Sequence, residues 1–256
     1  MKSNEIKALD PKEEIKGRDR RKFLKMGGLA IAGSGLLLAC NDDDDFGNTL
    51  PPDPDADFDL GEGNLGILNY AYALEQLEAA FYAEVIKGSY YDGLEAGPKQ
   101  MFLDTYNHEQ IHRAFFKTAI TTAAPSEDMV LPDLEFDFSS LDFSSEADVL
   151  GTTIALEDTG VAAYNGAGKL IDTSDDAGKA YLTLAGKIVS VEARHASAFR
   201  DLMNPNSSDF AGDDVLVGIG TDPAFDKAIL PGDILNAVSG LGFITTPFTA
   251  KNLPTE

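Results

Sequence analysis

The sequence predicts an all-α protein, an antiparallel four-helix bundle with one long crossover between its second and third helices. Apolar residues recur at steps of three and four along four segments of residues 64–203, which is the period of an amphipathic helix. At about 1.5 Å per residue, each segment is long enough for a helix of roughly 36–44 Å. Residues 125–145, between the second and third segments, are rich in Pro, Asp, Phe and Ser and have no helical repeat. Two helical hairpins joined by a long connection produce this bundle topology.

The first predicted hairpin consists of helices over residues 64–88 and 98–124. Asn64 belongs to the residue types that cap helix N-termini, and Gly88 to those that end helices. The second helix begins at Pro98, because proline is well tolerated in the first helical turn. We therefore expect these two helices to pack side by side.

The second predicted hairpin consists of helices over residues 146–171 and 175–203. Ser145 and Asp148 have the spacing of a capping arrangement, in which a serine side chain accepts a hydrogen bond from a backbone N–H in the first helical turn. Ser174 is the expected cap of the fourth helix. Both helices therefore have a defined start.

The composition divides the chain into four regions. Residues 1–40 are predicted to be an export signal, 41–63 an acidic flexible tether, 64–203 the bundle, and 204–256 a C-terminal extension with one short helix near 232–240. The tether is rich in Asp and Pro, so it cannot bury a core, and its like charges keep it extended. The extension is expected to pack on the bundle because it carries apolar side chains that require burial, namely Phe243, Ile244 and Phe248.

The charge of the chain excludes a protein that binds nucleic acid. The formal net charge is -23 for 256 residues, and affinity for nucleic acids comes largely from basic side chains that neutralise phosphates. The first 40 residues contain nine of the 20 basic residues and five of the 43 acidic ones. The rest of the chain is therefore still more acidic, which attracts metal cations. A single cysteine also excludes an internal disulfide framework and a four-cysteine zinc site.

The N-terminal region resembles the signal of an exported bacterial lipoprotein. Arg20-Arg21-Lys22-Phe23-Leu24-Lys25 resembles a twin-arginine signal, and Leu37-Leu38-Ala39-Cys40 resembles a lipobox. The apolar run over 26–39 is shorter than the ~20 residues that span a bilayer, and a buried helix or a signal anchor is the alternative interpretation. The resemblance implies a mature protein that begins at lipidated Cys40 and is anchored to the cell envelope, either periplasmic or surface-exposed.

The two predicted hairpins share one pattern of polar residues. In each hairpin a glutamate is followed by a tyrosine seven residues later and by a Glu-x-x-His motif 34 or 35 residues later. The residues of this pattern are Glu75, Tyr82, Glu109 and His112 in the first hairpin, and Glu157, Tyr164, Glu192 and His195 in the second.

This spacing predicts a metal centre with two ions. Residues three apart on a helix lie on one face, so the Glu and His of each motif can bind metal together. Two such motifs with one glutamate from each of the other helices form the ligand set of di-iron and di-manganese carboxylate proteins. Removing a carboxylate from water costs several kcal/mol, so without cations several of the four would bind protons instead. The predicted metal ligands are Glu75, Glu109, His112, Glu157, Glu192 and His195.

The chemistry of this ligand set favours iron first and manganese second. A set of oxygen donors with one nitrogen per metal suits iron and manganese better than it suits an ion that prefers thiolates. The affinity order alone does not exclude zinc or copper. Glu109 and Glu192 are expected to bridge the two metals. Glu75 with His112, and Glu157 with His195, would complete the two positions.

Each motif also has an ordinary alternative to a metal site. A single Glu-x-x-His pair is usually a solvated helix face or a histidine hydrogen-bonded within a core. Two pairs on apolar stripes exceed the roughly 0.2 pairs that the composition predicts by chance. Glu78 also faces inward, but Glu75 is the expected ligand because its counterpart in the second hairpin is Glu157, whereas the counterpart of Glu78 is Gly160.

Other polar residues near the motifs are expected to have supporting roles. Tyr82 and Tyr164 are expected to be core residues with hydroxyls near the ligands, and a redox role for them stays open. We expect His108 to form a hydrogen bond at the rim of the site rather than to bind metal. Asp104 and Asp158 are candidates for the carboxylates that orient metal-binding histidines.

The residues of the first and third helices resemble the ferritin-like superfamily. Asn69-Tyr70-Ala71-Tyr72-Ala73-Leu74-Glu75-Gln76-Leu77-Glu78-Ala79-Ala80-Phe81-Tyr82 and Ile154-Ala155-Leu156-Glu157-Asp158-Thr159-Gly160 are most similar to its desiccation-related, exported branch. The resemblance covers about 64–203. It implies an antiparallel four-helix bundle with a di-iron or di-manganese centre, and it leaves the reaction open because members of the superfamily carry out different chemistry.

Three functions are consistent with these features. The first is an exported, lipid-anchored oxidoreductase, a di-iron oxidase (ferroxidase) or a di-manganese catalase-like enzyme, that acts on Fe(II) with O2 or on peroxide. The second is a protein of stress or desiccation protection, or of envelope structure, in which the metals only hold the bundle together. The third is a surface binding module that uses residues 204–256 and 125–145. In each case the membrane is contacted through the lipid anchor only. A homodimer is plausible, whereas a closed storage cage is disfavoured.

Overall fold

This computed structural model describes residues 58–212, 214–219 and 222–255 of the chain. The predicted export signal with Cys40, and the predicted tether up to residue 57, lie outside the described residues. The last residues assigned to the tether, 58–63, are not a free linker: Leu60 is fully buried, its N–H donates to the carbonyl of Thr249, and Gly63 begins the first helix. Among the helices that are described, none is both long enough and apolar enough to cross a bilayer.

The described residues form a helical bundle, so the predicted fold class is confirmed. The four long helices are α1, α3, α4 and α5. Helix α1 packs chiefly against α3, and α4 packs chiefly against α5, as expected for two hairpins. The α-helices of the described residues are α1 (Gly63–Val85), α2 (Ser89–Asp92), α3 (Ala96–Ala123), α4 (Glu146–Gly168), α5 (Asp176–Met203) and α6 (Pro231–Leu241).

The long crossover between α3 and α4 contains one 3-10 turn, Glu127–Met129. A second 3-10 turn, Asp209–Ala211, follows α5. The strands β1 (Leu216–Ile219) and β2 (Asp222–Asp226) then form an antiparallel hairpin. This hairpin was not predicted, because its sequence lacks a run of alternating apolar and polar residues.

The caps of the second hairpin explain where its helices begin. The side chain of Ser145 accepts a hydrogen bond from the backbone N–H of Asp148 at the start of α4, which confirms the predicted arrangement. At α5 the cap is Asp175, whose carboxylate accepts from the N–H of Gly178 at 2.8 Å. The prediction of Ser174 was therefore wrong by one residue, because the N–H of Ser174 is bonded to Asp172 in a turn that precedes the helix.

The predicted N-cap Asn64 instead connects two parts of the fold. Helix α1 begins at Gly63, after Glu62, so Asn64 lies inside the helix. Its side-chain amide donates to the carbonyl of Asp172 at 2.9 Å and accepts from the N–H of the same residue at 2.8 Å. The preference of asparagine for backbone partners is satisfied by the α4–α5 loop rather than by its own helix.

Helix α1 is covered on nearly all sides, with 17 of its 23 residues buried. The crossover lies over its outer face and is held there by two buried amides. Asn69 donates to the carbonyl of Met129 and accepts from the N–H of Leu131. Gln76 bonds the backbone of residues 132 and 134 in the same way. These bonds satisfy buried polar groups on both segments, so they place the crossover along α1.

The C-terminal extension packs on both the crossover and the bundle. The N–H of Asp137 donates to the carbonyl of Phe243, and the N–H of Thr245 donates to that of Glu135. Phe243 is buried, while Ile244 and Phe248 are half-buried against the core. The extension therefore covers apolar surface at the side of the bundle.

Candidate metal centre

The structure brings the six predicted ligands together in the middle of the bundle. The four carboxylates are fully buried, and the two histidines are only 8% and 7% exposed. Each of the four long helices contributes at least one of these side chains. They are Glu75 on α1, Glu109 and His112 on α3, Glu157 on α4, and Glu192 and His195 on α5.

The six side chains form two groups that share two carboxylates. One group holds Glu75 and His112, the other holds Glu157 and His195, and both include Glu109 and Glu192. Within each group the potential ligand atoms lie within 4.8 Å of one another. This arrangement can hold two metal ions with two carboxylates between them, although metal binding itself stays a prediction.

The imidazole nitrogens point into the carboxylates. Nδ1 of His112 lies 2.9 Å from Oε1 of Glu192, 3.2 Å from Oε2 of Glu109 and 3.4 Å from Oε2 of Glu75. Each histidine therefore faces carboxylates from three different helices. Nδ1 of His195 has the corresponding surroundings, and it lies 3.0 Å from Oε1 of Glu109.

Many of these inward atoms lie within ion-pair distance of a histidine nitrogen but make no hydrogen bond of good geometry among the described residues. Six atoms of the ligand set are buried in this way: one oxygen each of Glu75, Glu109 and Glu157, both oxygens of Glu192, and Nδ1 of His195. Buried polar atoms are nearly always hydrogen-bonded, so a group of exceptions at one point requires an explanation. An oxygen-rich donor set with two imidazoles fits a pair of divalent cations, which would bind these atoms.

The pKa values of the carboxyl groups show the cost of this burial in the absence of metal. Burial raises the pKa of Glu75 to about 8, although the neighbouring histidine favours its ionised form. Burial also raises the pKa of Glu157 well above its ordinary value. Burial acts on Glu192 in the same direction, but both histidines outweigh it and lower its pKa to about 2. Without metal, the site is therefore expected to hold protons on some of its carboxylates.

The two histidines respond in the opposite sense. Burial lowers the pKa of His112, but the carboxylates around it outweigh this effect and raise the pKa to about 12. The same balance raises the pKa of His195 to about 12. Both imidazoles are thus charged in the metal-free protein and must lose a proton before they can bind metal through Nδ1.

The two tyrosines of the pattern connect the halves of the bundle. The hydroxyl of Tyr82 on α1 donates to Glu157 on α4, and that of Tyr164 on α4 donates to Glu75 on α1. Burial raises the pKa of both phenols well above the ordinary value, so both stay protonated donors. Each tyrosine therefore orients the glutamate of the other half.

His108 lies at the outer edge of the cluster. Its Nδ1 is 2.9 Å from Nε2 of His195, which confirms the expected hydrogen bond at the rim. Its ring lies nearly parallel to that of His112, with centroids 6.1 Å apart. The candidates Asp104 and Asp158 have no such contact with the histidines: Asp104 bonds Gln100 on the surface, and Asp158 is paired with Arg200. The partner of His195 is thus the imidazole of His108, which was expected at the rim, although its contact with Nε2 of His195 was not predicted.

Glu78 is a further buried carboxyl close to the cluster but outside both ligand groups. One of its oxygens has no partner among the described residues, and burial raises its pKa well above the ordinary value. Its other oxygen fills the space opposite Gly160, where an added Cβ would lie 3.1 Å away. Glu78 of the first hairpin therefore occupies the space that its counterpart in the second hairpin, Gly160, leaves free because it has no side chain.

Comparison with known proteins agrees with this architecture. A family model described as a ferritin-like domain matches residues 63–205. No curated protein matches the sequence. The matched segment includes all four long helices and all six predicted ligands. Since the match covers more than half of the chain, this protein belongs to the ferritin-like domain family.

Proposed function

We propose that this protein uses a carboxylate-bridged pair of iron or manganese ions for redox chemistry on Fe(II) with O2 or on peroxide. The observation that carries the proposal is the pair of ligand groups that share Glu109 and Glu192. The buried carboxylate oxygens that make no hydrogen bond and the raised pKa of Glu75 support it, because a metal-free core of this composition carries polar groups without hydrogen bonds. A pair of such ions, when bound, would supply the electron transfer.

The protein side chains would set the conditions of this chemistry. Glu75 and His112 would hold one ion, and Glu157 and His195 the other, with the two shared carboxylates between them. Tyr82 and Tyr164 would keep the terminal glutamates in place through their hydroxyl donors. The near-complete burial of the ligands excludes bulk water from the site, which strengthens electrostatic interactions within it.

We also propose that the protein is exported and attached to the bacterial cell envelope through a lipid on Cys40, as in the desiccation-related ferritin-like branch. The support is the order of its segments, in which a twin-arginine-like motif and a lipobox-like motif precede an acidic stretch and the bundle. Radiolabelled palmitate in a bacterial host tests this directly. Label on the wild type that is lost in Cys40→Ser would support lipidation, whereas equal label on both would refute it.

The redox proposal is tested with protein purified from its own envelope. Elemental analysis should find close to two iron or manganese ions per chain, and the double variant Glu109→Gln/Glu192→Gln should lose both. Glu127→Gln, an exposed residue in the crossover, is the matched control and should keep them. Anaerobic protein loaded with Fe(II) is then exposed to air and followed by ultraviolet absorbance, and the manganese-loaded protein is tested for oxygen release from peroxide.

The alternative function is a protein of stress protection or envelope structure in which the metals only stabilise the fold. The full burial of the four carboxylates favours it, because a structural site needs no substrate access. It predicts a lower melting temperature for the double variant and no turnover by the wild type. Fe(II) oxidation no faster than in buffer, together with no oxygen release from peroxide, would reject the redox proposal and leave this alternative.

A further inference from the structure

An apolar cavity lies inside the bundle beside the candidate metal centre. It leaves about 30 Å³ for the centres of water-sized molecules. Its walls come from all four long helices and are almost entirely carbon. Leu74 and Phe116 belong to its inner wall, together with Ala167 of α4. The metal ligands are not part of the wall, so this cavity is distinct from the site described above.

The burial of the lining residues shows which end of the cavity lies near the surface and which lies inside the bundle. The residues contributed by α1, such as Leu74, are almost all buried. Those contributed by α5, including Tyr181 and Ala185, are half-buried at the surface. The cavity therefore leads from the outer face of α5 towards the centre of the bundle.

Tyr164 separates the inner end of the cavity from the carboxylate cluster. Its ring lines the cavity, while its hydroxyl donates to Glu75. Phe116, which is one helical turn after His112, packs against the Tyr164 ring with centroids 6.2 Å apart. A molecule in the cavity is thus one side chain away from the ligands.

The polar side chains along the walls are few, namely Asn64, Tyr70, Tyr164 and Tyr181. The amide of Asn64 is bonded to the backbone of Asp172, and the Tyr164 hydroxyl to Glu75. In the inner part the hydroxyl of Tyr70 is buried and without a partner among the described residues. A buried water needs two to four polar partners, so one hydroxyl cannot hold water well, and apolar cavities of this kind stay dry.

We propose that dioxygen binds in this cavity and reaches the metal centre from it. The inference rests on the proposed function and selects one of its oxidants. Dioxygen is small, neutral and apolar, so it loses no hydrogen bonds on entering such a cavity. Hydrogen peroxide has two O–H groups, and burying them without hydrogen-bond partners is unfavourable. The cavity therefore discriminates in favour of O2.

Xenon binding tests the cavity without any metal or turnover. Crystals of the full protein are pressurised with xenon, and the expected result is a xenon atom between Leu74, Ala167 and Ala185. Density for ordered waters at this place, or no xenon there, would overturn the proposal. The variant Ala185→Leu should remove the xenon by filling the cavity. Ala198→Leu, another half-buried alanine of α5 that does not line the cavity, is the matched control and should retain it.

Kinetics then assign the cavity to dioxygen. In Fe(II)-loaded protein, Ala185→Leu should slow oxidation by O2 severalfold and leave anaerobic oxidation by peroxide unchanged, while Ala198→Leu alters neither. Metal content and melting temperature establish that both variants are folded and loaded. Equal slowing with both oxidants, or no slowing with O2, would overturn the assignment. If the wild type binds xenon but neither oxidises Fe(II) nor releases oxygen from peroxide, the proposed function fails; if it oxidises Fe(II) and binds no xenon, the cavity proposal fails.

Discussion

His108 and His195 face each other across the edge of the bundle, with Nδ1 of the first 2.9 Å from Nε2 of the second. Their rings are 5.1 Å apart and inclined by 30°. His195 directs its other nitrogen towards the carboxylates, so a single ring connects the buried cluster with an exposed side chain. The second hairpin has Val191 in place of His108, and the contact therefore exists on one side of the centre only.

Replacing His108 should weaken metal binding at the position that includes His195. A hydrogen bond to the second nitrogen fixes the orientation of a metal-binding imidazole, and losing it typically costs about 10–100-fold in affinity. Isothermal titration calorimetry of metal-free protein with Fe(II) or Mn(II) would compare the metal affinity of His108→Phe with that of Asn107→Ala, a variant at an exposed neighbouring residue. Unchanged affinity in His108→Phe would show that this contact does not position the ligand.

Tyr82→Phe and Tyr164→Phe should destabilise the metal-free protein, because each leaves a buried glutamate without its hydroxyl donor. The cost of an unsatisfied buried group is about 1–3 kcal/mol. Urea unfolding of the metal-free protein, with chelator present, measures this loss in the free energy of unfolding, and Tyr106→Phe on α3 is the control. Metal should reduce the difference, since it binds the same carboxylates. A loss equal to that of Tyr106→Phe would contradict the role of these donors.

The free energy of unfolding of the metal-free protein should decrease as the pH rises from about 5 to 8. In the folded protein the pKa of Glu75 is raised from 4.5 to about 8. Between these values the folded state keeps a proton that the unfolded state has lost, so raising the pH favours unfolding. The pKa values of His112 and His195, raised to about 12, add the same slope above 6.5. Their stabilisation is complete below pH 6.5 and is lost towards pH 12.

Glu192 has the opposite effect, but only in acid. Its pKa is lowered from 4.5 to about 2, so its stabilisation is present above pH 4.5 and is lost towards pH 2. Urea unfolding at a series of pH values with chelator present would therefore find the greatest stability near pH 5. Glu75→Gln should make the decrease between pH 5 and 8 smaller, and the part that remains above pH 6.5 comes from His112 and His195. A metal-free stability that increases across this range would refute the assigned charges.

Two glycines of α4 should respond to alanine in opposite ways. A Cβ at Gly166 would lie 1.7 Å from the carbonyl oxygen of Ile229, whereas at Gly151 it would meet nothing within 4 Å. Gly166→Ala should therefore destabilise the protein and loosen the extension. Gly151→Ala should stabilise it by about 0.4–1 kcal/mol, because alanine restricts the unfolded chain. Thermal unfolding compares the two, and equal melting temperatures would show that the extension does not pack as described.

The sequence by itself determined the bundle and the composition of the candidate centre. Helical period assigns the four long helices, and the spacing of three residues places Glu109 with His112 and Glu192 with His195 on common faces. Both inferences need only local geometry. The caps illustrate the limit of such reasoning: Ser145 was predicted correctly, while the preference for capping at Asn64 was satisfied by a distant backbone.

Only the tertiary structure decided which groups meet across the bundle. Tyr164 donates to Glu75, a residue 89 positions away, and His108 contacts His195 across 87 positions. The cavity beside Tyr164 is a space between four helices and has no sequence signature. Such contacts depend on how helices are rotated and offset against one another, and these quantities are set by the sum of all packing contacts rather than by any short segment.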